Sequence, residues 1–138
     1  MNWKTCALLS AAFAALTAVF GKIGVKEVSS NLATAIRVSV ILVFAWGIAL
    51  GTGAGSQLRQ VGARSWMFLA LSGIATGLSW LFYFRALQLG DASKVAPLDK
   101  LSVPLTIVLS VLILHETLTW QTIVGGLLIV GGTFVLLL

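Results

Sequence analysis

Apolar residues fall into five long runs that are separated by short polar stretches. The runs cover Trp3–Gly21, Leu32–Leu50, Trp66–Leu87, Val95–Leu114 and Trp120–Leu138. A helix needs roughly 20 apolar residues to cross a bilayer core about 30 Å thick, and each run has about that length. The pattern therefore predicts an all-α integral membrane protein, in which residues 1–138 form one domain of five transmembrane helices.

The four connections between the runs contain polar or helix-breaking residues. They cover Lys22–Asn31, Gly51–Ser65, Gln88–Lys94 and His115–Thr119. None has room for a folded domain outside the membrane, and the glycines at 51, 53 and 55 predict a flexible interhelical loop. The first run also has the features of a secretory signal peptide, but the later runs are equally apolar, so we interpret it as the first helix.

Composition agrees with a membrane protein, since 59% of the residues are hydrophobic, 9% are charged and the mean hydropathy is +1.05. The net charge of +5 does not predict a nucleic-acid partner, because the nine basic residues are spread singly along the chain. Cys6 is the only cysteine, so an intrachain disulfide and a cysteine-based metal site are excluded.

Four ionisable residues fall within or near the ends of the apolar runs. They are Arg37, Arg85, Asp99 and Lys100. A charge inside a membrane helix costs about 2.5 to 3.5 kcal/mol on insertion scales, so each position is a candidate for solute binding or coupling. With helices running alternately up and down, all four fall on the same side of the membrane. The alternative is that the cations reach the headgroups and that Asp99 only neutralises one of them.

The fourth run carries a polar stripe with helical spacing. Its members are Asp99, Ser102, Thr106 and Ser110. Pro104 cannot donate a hydrogen bond to the carbonyl of Lys100, so we expect a kink there, with Pro104 as a hinge and a free backbone acceptor beside the charged pair.

A second stripe follows the third run. It comprises Ser72, Thr76, Ser79 and Tyr83, with Trp80 close by. If the two stripes face each other, they form a polar path through the membrane. The alternative is that the hydroxyls only bond to their own helix or to a neighbouring helix.

Motifs of soluble enzymes are not found. His115-Glu116 begins like a zinc-protease helix, but Thr119 stands where the second histidine is required, so the pair is interpreted as a polar helix end. The glycines near position 53 match neither a dinucleotide fingerprint nor a P-loop. We therefore expect no enzyme activity, no metal and no cofactor.

Residues 72–116 resemble the EamA-type repeat of the drug/metabolite transporter superfamily. The resemblance rests on the segments Ser72–Trp80, Tyr83–Leu87, Asp91–Ser102 with Pro104, and His115–Thr119, followed by the glycine pairs at 125–126 and 131–132. With the segment Asn31–Arg37, it covers nearly the whole chain. Most members contain two inverted five-helix repeats, and this chain is similar to the small five-helix bacterial and archaeal branch.

The resemblance implies a secondary transporter in the inner (plasma) membrane that moves a small metabolite or drug-like solute, usually outwards, by alternating access. One repeat alone implies a homodimer. An antiparallel dimer is compatible with the basic loop residues, which are nearly balanced between the two sides. The alternatives are a flippase for a lipid or lipid carrier, and an accessory subunit that does not itself transport.

Overall fold

The computed structural model describes residues 2–138, and this part of the chain contains helices and no strands. The elements are α1 (Trp3–Gly24), α2 (Ser30–Gly51), a 3-10 helix (Ala54–Gln60), α3 (Ala63–Leu89), α4 (Ala92–Asp99), α5 (Ser102–Leu114) and α6 (Trp120–Leu137). Helices α4 and α5 together form one span, Ala92–Leu114, so five segments are long and apolar enough to cross a bilayer. The prediction of an all-α membrane protein is confirmed.

The helices extend beyond several of the apolar runs. Helix α2 begins at Ser30 rather than Leu32, because the hydroxyl of Ser29 accepts a hydrogen bond from the backbone N–H of Leu32 at 3.4 Å and caps the helix. Helix α5 ends at Leu114, the last residue of the apolar run. His115 then adopts the left-handed conformation, with φ 56°, and its N–H donates to the carbonyl of Ser110.

The connection between α2 and α3 contains a short helix that the sequence did not indicate. The glycine-rich stretch predicted a loop, and residues Ala54–Gln60 within it form a 3-10 helix. Gly53 precedes this helix with φ 74°, a left-handed conformation that glycine adopts without a steric penalty. Thr52 caps α2, since its backbone N–H donates to the carbonyl of Ile48. The flexibility of this connection stays a prediction.

The chain divides into two compact units, and the first comprises residues 20–89. Within it, α2 packs mainly against α3. Val25 and Leu87 are fully buried. Gly21 allows α1 to approach α3 closely, since a Cβ atom added there would lie 3.2 Å from Cε1 of Phe84 and 3.3 Å from Cδ1 of Leu87. The Nζ atom of Lys22 donates a hydrogen bond of 2.7 Å to the carbonyl of Leu87.

The second unit comprises residues 2–19 and 90–138 of the described chain. Within it, α4 and α5 both pack against α6. Gly126 is buried, and an added Cβ atom would lie 3.4 Å from Cδ1 of Ile107. The hydroxyl of Thr133 donates a hydrogen bond of 3.3 Å to the carbonyl of Pro97. A small residue and a hydroxyl thus mediate helix contact, as is common in membrane proteins.

Large apolar side chains cover most of the surface of the spans. Phe82 and Trp120 are each 75% exposed, and in every span at most 11% of the most apolar window is buried. In water, this surface would cause aggregation, whereas in a bilayer it contacts lipid or another subunit.

Candidate functional site

Arg37 lies inside the second span, against two aromatic rings of α3. It is the eighth residue of α2, about 10 Å along the helix at 1.5 Å per residue. Its Cζ atom lies 4.5 Å from the ring centroid of Trp80 and 5.1 Å from that of Phe84. Trp80 and Phe84 are four residues apart and share one face of α3. The guanidinium is therefore held between the helices by cation–π contacts.

The Arg37 guanidinium also has a buried nitrogen without an acceptor. Among the described residues, its Nη1 atom is buried and has no hydrogen-bond partner. Along the same face of α2, Ser30 and Thr34 are buried, and the hydroxyl of Thr34 donates to the carbonyl of Ser30 at 2.8 Å. The Thr34 hydroxyl, one turn before Arg37, thus bonds to its own helix and does not satisfy Nη1 of the guanidinium.

Gln88 connects the end of α3 to the segment between α1 and α2. Its Nε2 atom donates to the carbonyls of Val25, at 3.2 Å, and Val28, at 2.8 Å. Its Oε1 atom accepts a hydrogen bond of 3.1 Å from Nη1 of Arg85. One amide side chain therefore holds the connection and also orients a guanidinium.

A cleft of about 700 Å³ lies between the start of α2 and the last turns of α3. Polar groups line one part of it and large apolar side chains line the remainder. The lining residues are Ser29, Ser30, Asn31, Leu78, Leu81, Phe82, Arg85 and Gln88. Such a lining suits an amphiphilic molecule that has a polar end and an apolar body.

The second compact unit contains the charged pair of the fourth span. Nζ of Lys100 lies 3.4 Å from Oδ2 of Asp99, and the two side chains are 55% and 37% exposed, respectively. Asp99 is the eighth residue of the 23-residue span Ala92–Leu114 and the last residue of α4. The pair therefore lies inside the span, at an interruption of the helix, and is not enclosed by its own chain.

The fourth span is interrupted at Lys100 and Leu101, one turn before Pro104, which is the third residue of α5. This is where the kink was expected, because Pro104 cannot donate a hydrogen bond to the carbonyl of Lys100, four residues earlier. That carbonyl, which we expected to be free, accepts a hydrogen bond of 2.9 Å from the N–H of Val103. The prediction of a free acceptor was therefore wrong, and a hinge at Pro104 stays a prediction.

The predicted hydroxyl stripes bond largely to their own helices. Thr76 donates to the carbonyl of Ser72, and Thr106 donates to that of Ser102, each at 2.8 Å. This is the bonding expected if the hydroxyls serve only the helices themselves. The stripes belong to different compact units, and a polar path between them stays a prediction.

The remaining aromatic and hydroxyl candidates lie on α3. The rings of Tyr83 and Phe84 meet edge to face, with centroids 6.0 Å apart and planes at 88°. Ser79 is exposed. Of the predicted site residues, the structure brings Arg37 to Trp80, and Asp99 to Lys100.

Two residues of this region were not among the sequence candidates. Phe84 completes the aromatic contact with Arg37, and Gln88 bonds to Arg85 and to two backbone carbonyls. A signal for each was present, since Phe84 lies four residues after Trp80 and Gln88 lies three residues after Arg85.

Comparison with known proteins establishes the family. The sequence matches the EamA-like transporter family over residues 1–138. The chain belongs to this family. An uncharacterized transporter encoded in the cobO 3' region of Sinorhizobium sp. is 51% identical over 135 residues, which cover 98% of this chain and 96% of that protein. No solved structure matches the chain significantly.

Two further relatives of this EamA-family protein match over shorter portions of their own length. The uncharacterized transporter YvbV of Bacillus subtilis is 33% identical over 124 residues, which cover 90% of this chain but 41% of that protein. The uncharacterized protein MJ1333.1 of Methanocaldococcus jannaschii is 35% identical over 69 residues, half of each chain. Family membership and the five apolar helices support a multi-pass membrane transporter of the drug/metabolite type.

Proposed function

We propose that this EamA-family protein is a secondary transporter that exports a small metabolite or drug-like solute by alternating access. The observation that carries the proposal is the Asp99–Lys100 pair, which lies at a helix break within a membrane span. An ion pair facing hydrocarbon would be costly, so these exposed side chains need a polar cavity or a second subunit beside them.

A break in a membrane helix places backbone polar groups inside the membrane, where a transporter can use them to bind a solute. The backbone turn between α4 and α5 is held by hydrogen bonds from Lys100 N–H to Pro97 carbonyl, 3.0 Å, and from Leu101 N–H to Leu98 carbonyl, 3.1 Å. Discontinuous helices of this kind commonly form solute and ion sites in secondary transporters. Asp99 can then exchange its contact with Lys100 for a proton, a cation or a cationic group of the solute.

We further propose that the working unit is a dimer in the inner (plasma) membrane. The match to the Bacillus relative covers 41% of that protein, in agreement with the size of one repeat of a two-repeat transporter. The exposed apolar helix faces offer surface for a second copy. Helical spans favour the inner membrane, because bacterial outer-membrane proteins are typically β-barrels.

The proposal is tested by replacing Asp99 and measuring flux in proteoliposomes. We expect Asp99→Asn to abolish nearly all flux and to leave expression and detergent stability intact, because the amide keeps the shape but cannot carry charge. Asp91→Asn is the matched control, since Asp91 is an exposed carboxylate next to the start of α4. The solute for the assay is chosen by a thermal-shift screen on the purified wild-type protein.

A purely neutralising role for Asp99 predicts a different result. Stability and flux would then fall together, and adding Lys100→Gln should recover both. Breaking a fully buried ion pair costs about 3 to 5 kcal/mol. The loss here should be smaller, because both side chains are partly exposed. A stable Asp99→Asn protein with wild-type flux and wild-type pH dependence would contradict both roles.

The cleft favours a second candidate function, flipping of a lipid or lipid carrier. Arg85 donates one N–H to Gln88, and its remaining N–H groups can hold a phosphate head group while the apolar wall contacts an acyl chain. Reconstituted protein that accelerates transbilayer movement of a fluorescent phospholipid, but gives no flux of soluble solutes, would favour the flippase. Absence of both activities from the isolated protein would favour an accessory subunit.

A further inference from the structure

The Arg37 guanidinium carries a charge that its surroundings leave uncompensated. The compact unit of residues 20–89 contains six of the nine basic residues but only one acidic residue, Glu27. Glu27 is exposed in the connection after α1, outside the spans. The part of the chain that the structure describes therefore supplies no carboxylate to Arg37 within this unit.

Aromatic contact does not replace an anion. The rings of Trp80 and Phe84 stabilise a nearby cation, but they cannot accept the in-plane hydrogen bonds of a guanidinium nitrogen. A buried donor left without an acceptor destabilises the protein, and it does so more strongly when the group is charged. The protein without solute thus carries a penalty at Arg37 that an anionic ligand can remove.

We propose that Arg37 is the group that binds the transported solute, and that the solute is a small organic monocarboxylate. This inference rests on the proposed transport function and adds the class of solute. A planar carboxylate matches the planar guanidinium and can form charge-assisted hydrogen bonds with Nη1.

The surroundings of Arg37 explain why a monoanion is preferred. One positive charge compensates one negative charge, and a dianion would keep an unpaired charge beside the buried Nη1 atom and the two rings. The two neighbouring rings favour an apolar body beside the carboxylate. Because Nη1 is buried, the solute reaches it only when α2 and α3 separate locally, and alternating access supplies such an opening.

Thermal-shift titration of the purified protein in a neutral detergent tests the proposal. Benzoate serves as the probe, with benzamide as its neutral counterpart of equal shape and benzylammonium as the cationic one. We expect benzoate to raise the Tm of the wild-type protein and the two other compounds to leave it unchanged. In Arg37→Gln, benzoate affinity should fall about 10- to 100-fold, the equivalent of losing one charge-assisted hydrogen bond.

Two further variants separate binding from structure. Arg37→Lys keeps the positive charge but loses the planar guanidinium with its paired N–H donors. Its benzoate affinity should therefore lie between those of the wild type and Arg37→Gln. Arg59→Gln removes an equal charge from an exposed position of the same unit and should bind benzoate like the wild type. Without probe, Arg37→Gln loses the two ring contacts but also the unsatisfied buried nitrogen, so its Tm should stay close to that of the wild type.

Several results would overturn the proposal. Equal shifts with benzoate and benzamide, or wild-type benzoate affinity in Arg37→Gln, would exclude Arg37 as a carboxylate-binding group. An Arg37-dependent shift with phosphatidylglycerol, but none with benzoate, would assign the site to a lipid head group.

The test does not depend on transport, because the titration is carried out in detergent without a gradient. If Asp99→Asn retains full flux but benzoate binding requires Arg37, the coupling role of Asp99 is refuted and the monocarboxylate assignment is retained. If benzoate does not bind but flux requires Asp99, the transporter stands and the monocarboxylate assignment fails.

Discussion

The amide of Gln88 holds the segment between the first two helices onto the end of α3, and its removal tests that attachment. In Gln88→Ala, the carbonyls of Val25 and Val28 lose their hydrogen bonds of 3.2 and 2.8 Å, and Arg85 loses its acceptor. A hydrogen bond contributes about 0.5 to 1.5 kcal/mol net, so the two bonds to the connection should contribute about 1 to 3 kcal/mol.

A second substitution distinguishes hydrogen bonding from packing volume. Gln88→Glu keeps nearly the same size and can still accept from Arg85, but an ionised carboxylate has no donor for the two carbonyls. It would place negative charge beside two carbonyl oxygens, so we expect it to destabilise the protein at least as much as alanine does.

The free energy of unfolding is measured on purified protein in mixed detergent micelles, and hydrogen exchange is followed for residues 25–29. The amides of this segment should exchange faster in both variants. Gln57→Ala is the control, because Gln57 is an exposed glutamine in the 3-10 helix of the same compact unit. A Gln88→Glu protein as stable as the wild type, with unchanged exchange, would refute the reasoning.

Two further predictions concern helix contact and assembly. Gly21→Val should lower the free energy of unfolding by about 1 to 3 kcal/mol, because the added atoms would press on Phe84, whereas Gly24→Val, with no atom within 4 Å of an added Cβ, should be tolerated. Equal stability of these two variants would contradict the close approach. For an antiparallel homodimer, single cysteines in the connection Gly51–Ser65, in a Cys6→Ser background, should be labelled from both sides of the membrane. Labelling from one side alone would favour a parallel dimer or a different partner.

The sequence predicted the helices well because their determinants are local. Membrane spans follow from the length and apolar content of a segment, and the end of α5 at Leu114 coincides with the end of an apolar run. The break in the fourth span lies where Pro104 leaves the carbonyl of Lys100 without its helical donor. That carbonyl is nevertheless satisfied, because the N–H of Val103 donates to it instead, a local rearrangement that the residue types alone do not indicate.

The candidate site was only partly predictable, because it depends on contacts between helices. The charge in α2 identified Arg37, but no local pattern indicated that its guanidinium would contact Trp80. Similarly, Gln88 was assigned to a connection, since its role depends on carbonyls about sixty residues earlier in the chain. Periodicity describes one helix at a time, whereas such pairs appear only when two helices pack.

If Arg37 binds the solute as proposed, its charge would also make the transport cycle sensitive to membrane voltage. Moving one elementary charge through the full membrane field changes the free energy by about 2.3 kcal/mol per 100 mV. If a rearrangement moved Arg37 through a fraction of the field, the free energy of that step would change by the same fraction of this value. The proposed monoanion would cancel this charge, so voltage would act on the empty protein and much less on the loaded one. Polarisation of the membrane would then set the rate of the empty return step, while the loaded step proceeds almost independently of the potential.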